Sequence, residues 1–180
     1  MRIIAGAWRG RTISAPPNEV VRPTADRARE AWMSMLHHEL PDARVVDLFA
    51  GSGSLGLEAL SRGAESCDFV ELSSSALKSL RDNAAKLGAG ARATIHRADA
   101  LEFVQGKGPD TWDLAFADPP YNLGLGAQLA TLWLEQPFSR ILSVEHHAEE
   151  EMPPASDRRS WGTTGVSIYR QPSSSRSGER

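Results

Sequence analysis

Sulfur is scarce: the 180-residue sequence holds one cysteine, Cys67. One thiol makes no internal disulfide and no multi-thiolate zinc site, and it suits a reducing compartment. No apolar run approaches the roughly 18 residues that span a bilayer. Met1-Arg2-Ile3-Ile4-Ala5-Gly6 lacks the long apolar core of a secretory signal. The expected setting is therefore the cytoplasm, away from membranes. Internal repeats are missing too, which excludes a solenoid. So is any basic excess: the net charge is −3. What remains is 41% apolar and 24% charged residues, the balance of one globular domain with a real core.

The charge is unevenly placed. Residues 1–30 hold Arg2, Arg9, Arg11, Arg22, Arg27 and Arg29 against Glu19, Asp26 and Glu30, while the remainder of the chain is acidic. Guanidinium groups grip phosphate with two parallel hydrogen bonds. A basic face on an acidic chain reads as a nucleic-acid footprint. The competing reading is a set of solvated surface arginines.

Local patterns divide the chain. Two extended pieces, 2–5 and 11–14, flank Gly6 and Gly10 and read as a hairpin that Pro16-Pro17-Asn18 ends. Thr24 is placed to cap a helix whose apolar stripe is Ala28, Ala31, Trp32, Met35 and Leu36, closed by Pro41. From residue 44 strands and helices alternate. Strands are expected at 45–49, 67–72, 93–96, 114–117, 141–144 and 166–169. Helices are expected at 55–62, 75–87, 100–105 and 125–134. Trp161 and its neighbours are placed to pair with the last strand across a 162–165 turn. This rhythm predicts a mostly parallel sheet with helices on both faces. The 172–180 end is Ser/Arg/Gly-rich and reads as a disordered tail.

Two motifs carry chemistry. Asp47-Leu48-Phe49-Ala50-Gly51-Ser52-Gly53 leaves the first strand and opens a helix. Glycines there let the backbone turn sharply beside a ligand, and the helix start offers free N–H groups. Glu71 ends the next strand, where a carboxylate can accept both hydroxyls of a ribose. Gly51, Gly53 and Gly56 also satisfy the dinucleotide pattern G-x-G-x-x-G, so a nicotinamide oxidoreductase has to be weighed. The second motif, Asp118-Pro119-Pro120-Tyr121, follows an apolar strand and decides between them. Hydride transfer has no need of it; methylation of an exocyclic base amine does. Such a nitrogen is a poor nucleophile because its lone pair is delocalised into the ring. Asp118 and a proline carbonyl can accept its two hydrogens, the prolines stiffen the turn, and Tyr121 can stack on an extruded base. Asp99-Ala100 follows the third strand. Asp99 can hold an adenine amino group, cap the next helix, or both.

With these residues in view, the chain resembles the RsmD family of 16S rRNA (guanine-N2)-methyltransferases from Arg2 to about Arg170. The specific carriers are Arg2-Ile3-Ile4-Ala5-Gly6 with Arg9-Gly10-Arg11, and Arg22-Pro23-Thr24 with Asp26-Arg27 and Arg29-Glu30. The resemblance implies a Rossmann-like class I methyltransferase fold with an antiparallel last strand. It implies S-adenosylmethionine as cofactor, held at Asp47, Phe49, Gly51, Gly53, Glu71, Asp99 and Ala100. It implies catalysis at Asp118, Pro119, Pro120 and Tyr121, and RNA contacts at Arg2, Trp8, Arg9, Arg11, Arg22, Thr24 and Arg27. Residues around Thr24 and Arg27 would close over the active site. The implied substrate is 16S rRNA within a small-subunit assembly particle, acted on by a monomer.

The expected organisation is an RNA-contacting extension over 1–40, a methyltransferase domain over 41–171 and the tail. The short stretch 146–161, with Glu149-Glu150-Glu151 and Pro153-Pro154, leaves little for a helix before the final hairpin. His146-His147 beside those glutamates suggests a metal only weakly, because adjacent strand residues face opposite ways, and no metal is expected. Alternatives are a DNA adenine or cytosine N-methyltransferase, which needs a target-recognition region this chain has little room for, the oxidoreductase, and a non-enzymatic ribosome-assembly factor.

Overall fold

The structure, a computed structural model, describes residues 1–16 and 23–172. Pro17 and Asn18 of the expected break, Arg22, the side chain of Thr24 and residues 173–180 of the expected tail lie outside the described residues.

The described residues form seven strands: β1 (Arg44–Leu48), β2 (Ser66–Glu71), β3 (Ala93–Arg97), β4 (Trp112–Ala117), β5 (Ser139–His147), β6 (Asp157–Trp161) and β7 (Thr164–Arg170). They also form five α-helices: α1 (Pro23–Met35), α2 (Ser54–Ser61), α3 (Ser74–Leu87), α4 (Ala100–Val104) and α5 (Leu125–Glu135). The sheet order is β3-β2-β1-β4-β5-β7-β6. Strands β1 to β5 pair in parallel, and β7 runs antiparallel to both β5 and β6. The order reverses between β1 and β4. There Leu48 is in register with Ala117, so the segments that follow both strands emerge side by side.

Alternating side chains give the sheet two faces. Val45, Phe69 and Phe116 pack with α2, α3, Trp32 of α1 and the N-terminal residues Ile3, Trp8 and Ile13. Val46, Ala115 and Val144 pack with α4 and α5. The N-terminal segment thus shares one hydrophobic core with the sheet. It forms a single antiparallel bridge, Arg2 to Thr12, rather than two full strands. Part of its remaining backbone is satisfied by α2: the fully buried Glu58 accepts from the N–H of Ile4 at 2.8 Å and of Ala5 at 3.0 Å.

Three expectations change. Trp8, expected at the RNA, is only 8% exposed and fills the core, with the Arg92 guanidinium 5.0 Å over its ring. Burying so large an apolar ring outweighs leaving it free for a base. Helix α1 begins at Pro23, so Thr24 lies in its first turn and is not its cap; proline suits the first helical position because its missing N–H has no partner to lose. Arg29, counted with the basic end, is 6% exposed. Between β5 and β6 the described residues form no helix, as the prolines and clustered glutamates suggest.

Candidate active site

The segment after β1 turns tightly because three of its residues adopt left-handed backbone: Phe49 (φ 59°), Gly51 (φ 56°) and Gly53 (φ 84°). Gly53 precedes α2 and is packed so closely that a Cβ would strike Leu80. Gly51 instead faces open space, with nothing within 4 Å of such a Cβ. The two glycines do different work, one for packing and one for access.

Glu71, at the end of β2, organises the turn. One oxygen accepts the Gly51 N–H at 2.7 Å; the other accepts the N–H groups of Leu72 and Ser73, each at 2.8 Å. Its carboxylate is therefore fixed in direction while keeping acceptor capacity. Asp47 lies one layer behind. It is 1% exposed, accepts the Gly56 N–H at 2.9 Å, and its Oδ1 has no partner among the described residues. Burial pushes its carboxyl up to about 8. Asn83, buried beneath the turn, donates to the carbonyls of both Ser52 and Ser14 and so ties the glycine turn to the N-terminal segment.

A cavity of about 400 Å³ opens on this turn. Phe49, Glu71, Asp99 and Ala100 line it, and Pro120 closes one side. Asp99 caps α4 by accepting the Glu102 N–H at 3.0 Å, one of the two jobs expected of it, and its residue also lines the cavity. Asp118 is exposed just beyond β4, while Pro119 is buried beneath. The Tyr121 hydroxyl donates to Glu145 Oε1 at 2.6 Å, and its ring meets His147 edge-on at 6.0 Å. Burial pushes the Glu145 carboxyl up, and the Tyr121 bond partly offsets this. Burial beside that carboxylate also raises the Tyr121 hydroxyl. Glu145, which the sequence reading passes over, directly follows the apolar run 141–144 inside β5, and a carboxylate after such a run is the signal that also marks Glu71.

The expected RNA residues divide. Arg2, Arg9 and Arg27 are exposed. Arg11 is exposed along its length, but its guanidinium is engaged: it donates to the carbonyls of Lys86 and Leu87, capping the end of α3. Arg29 donates to the Arg2 carbonyl at 2.7 Å and to Asp26 at 3.2 Å, and its Nε and Nη1 have no partner among the described residues. His146 is buried, with its ring nitrogens at Ser167 Oγ and the His147 carbonyl. Among the described residues no three metal-ligating side chains gather.

A family model described as Conserved hypothetical protein 95 matches residues 1–169. The chain belongs to this family, which is that of small-subunit rRNA methyltransferase D. The ribosomal RNA small subunit methyltransferase D of Escherichia coli K12 is 37% identical over 158 residues, covering 85% of this chain and 78% of that one. The solved structure of yhhF from Escherichia coli, provisionally described as a methyltransferase, superposes with a TM-score of 0.81 at 33% identity, covering 95% of this chain and 97% of that one. A Thermus thermophilus 16S rRNA N2 G1207 methyltransferase, solved with AdoMet and guanosine, shares the fold at a TM-score of 0.67 and 17% identity, covering 87% of this chain and 45% of that one. The sheet is that of the S-adenosylmethionine-dependent methyltransferases, as the family's resemblance implied.

Proposed function

We propose that this chain transfers a methyl group from S-adenosylmethionine to the exocyclic N2 of a guanosine in 16S rRNA. We further propose that it acts as a cytoplasmic monomer on a small-subunit assembly particle. The observation that carries the reading is the shared wall at Pro120. One cavity brings the carboxylates Glu71 and Asp99 against the turn that bears Asp118 and Tyr121, so cofactor and amine would meet there.

The residues present fit the cofactor. Glu71 is oriented to accept ribose hydroxyls, Asp99 and Ala100 flank the place for an adenine, and the open side of Gly51 leaves room for the chain between. The unpartnered Oδ1 of Asp47 supplies a buried acceptor behind the turn. When bound, S-adenosylmethionine supplies an electrophilic methyl group on a sulfonium.

The chain's own residues prepare the nucleophile. Asp118 accepts one hydrogen of the guanine amine, and the carbonyl of Pro119 or Pro120 accepts the other. This draws the nitrogen toward a tetrahedral geometry and frees its lone pair. Charge developing on the nitrogen strengthens the bond to Asp118, so the contribution grows along the reaction. The Tyr121 ring, held through its hydroxyl by Glu145, offers a fixed face to the base. Holding both reactants in one orientation supplies the rest.

Calorimetry tests the cofactor: S-adenosylmethionine should bind and NAD should not. Label should then pass from S-adenosylmethionine to small-subunit particles and not to duplex DNA. NAD binding, or transfer to DNA alone, overturns the reading.

A further inference from the structure

A second cavity, of about 470 Å³, lies between the start of α1 and the β6–β7 turn. Arg27 and Ala28 wall it on one side, and Trp161, Gly162, Thr163 and Thr164 on the other. Among the described residues it shares no lining residue with the cavity at Glu71. It still adjoins the catalytic turn: Thr164 pairs with His147 across β5 and β7, and the His147 ring packs against Tyr121. The second cavity therefore lies near the 118–121 turn, whose Pro120 lines the first.

The lining has a definite chemistry. Trp161 is half-buried against the core, so its ring is fixed while one part stays accessible. Gly162 adopts φ 60° with nothing within 4 Å of where a Cβ would stand, which keeps the turn open. Arg27 is exposed and is the one charged residue among the described residues of the lining. On the adjoining strand β6, Arg158 donates to the carbonyls of Ala148 and Glu150 and Arg159 pairs with Asp157 at 3.7 Å. A fixed aromatic ring, a guanidinium and two threonine hydroxyls suit a base, a phosphate and a sugar, respectively.

We propose that this cavity seats an unpaired nucleotide of the RNA beside the target guanosine, its base against Trp161 and its phosphate at Arg27. This rests on the reading of the chain as an rRNA methyltransferase. The target base has to place its amine at Asp118, so the second cavity is left for a neighbour. Holding that neighbour unstacked would help keep the target out of its own stack.

The test is methyl transfer to small-subunit particles at saturating S-adenosylmethionine, with cofactor calorimetry alongside. Trp161→Ala should raise KM for the particle by about 5–150-fold, the range of one lost base stack, with the loss carried in KM rather than kcat. Trp161→Phe, which keeps an aromatic face, should recover most of it. Unchanged KM in Trp161→Ala, or equal losses in kcat and cofactor affinity in both variants, overturns the proposal. Ultraviolet crosslinking of the parent protein to particles needs no variant to fold. An adduct between the 158–164 peptide and a nucleotide adjacent to the methylated guanosine supports the proposal. An adduct of that peptide with a ribosomal protein, or with RNA remote from the target, overturns it while leaving the methyltransferase reading intact. Failure of the parent protein to methylate RNA overturns both.

Discussion

The crevice at the strand ends and the arginine-rich N-terminal segment are built from opposite materials. In the crevice, carboxylates are held by backbone N–H groups, as Glu71 is by Gly51, Leu72 and Ser73. The groups that aim them are part of the sheet itself. In the N-terminal segment, cations meet carbonyls: Arg11 caps α3 and Arg29 ties α1 to Arg2. The difference teaches that charge in a sequence does not say where it is spent. A carboxylate at a strand end stays at the site, whereas an arginine is long enough to be drawn into holding the fold together.

The largest expected effect is in the crevice. Asp118→Ala should lower the single-turnover methyl-transfer rate by about 10²–10⁴-fold, the range for one positioned polar group. Cofactor affinity should barely change. Asp118→Asn keeps an acceptor without the charge, so its residual rate separates hydrogen bonding from charge. Near-parental turnover in the alanine variant would return the tetrapeptide to a stiff turn.

Glu71→Ala comes next. It removes the proposed acceptor for ribose hydroxyls and the anchor for three backbone N–H groups. S-adenosylmethionine binding should weaken by about 1–3 kcal/mol in calorimetry. Equal affinity would take Glu71 out of the cofactor site and dissolve the contrast between the two regions.

The N-terminal segment predicts a split between two neighbouring arginines. Arg9→Ala should shrink the salt slope of RNA binding by about one unit and leave the melting temperature alone. Arg11→Ala should cost about 0.5–1.5 kcal/mol of stability, because carbonyls at the end of α3 lose their donor. Identical behaviour of the two variants in both measurements would erase the distinction drawn from their contacts.

Asp47 sharpens the account of the crevice through pH. Its carboxyl titrates near 8 when folded against an ordinary 3.8. Folding therefore favours the protonated form, and that contribution is complete below about pH 4 and is lost as pH rises toward 8. Asp47→Asn should flatten this part of the stability profile of the free protein in urea denaturation. Parallel profiles for the two proteins would contradict the burial of an unsatisfied oxygen.

Much of this was legible in the sequence for physical reasons. Strand β1 and the turn after it are readable because a short continuous apolar run ends where glycines begin, and topology then brings Asp47, Gly51 and Glu71 to one edge. The end of α3 was readable from Gly88, which adopts the left-handed conformation expected of a C-cap. Trp8 was misjudged because its neighbours Arg9 and Gly10 suggest an exposed turn, and only the packing of α2 beneath shows the ring buried. Arg29 reads as surface from its charge alone, and only the fold shows it turned inward to the Arg2 carbonyl and Asp26. Asn83 carries no local pattern: its role appears only when Ser14 and Ser52, distant in sequence, meet at its amide. The tie between them also makes the N-terminal segment and the glycine turn neighbours, which sequence distance had hidden.

The central claim is the identity of the methylated atom. Purified protein, labelled S-adenosylmethionine and undermethylated small-subunit particles should be combined, the RNA digested to nucleosides, and the labelled product identified by mass spectrometry. The account predicts N2-methylguanosine at a single position of 16S rRNA. Label in methyladenosine or methylcytosine, or no label in RNA under conditions where the cofactor binds, would contradict it.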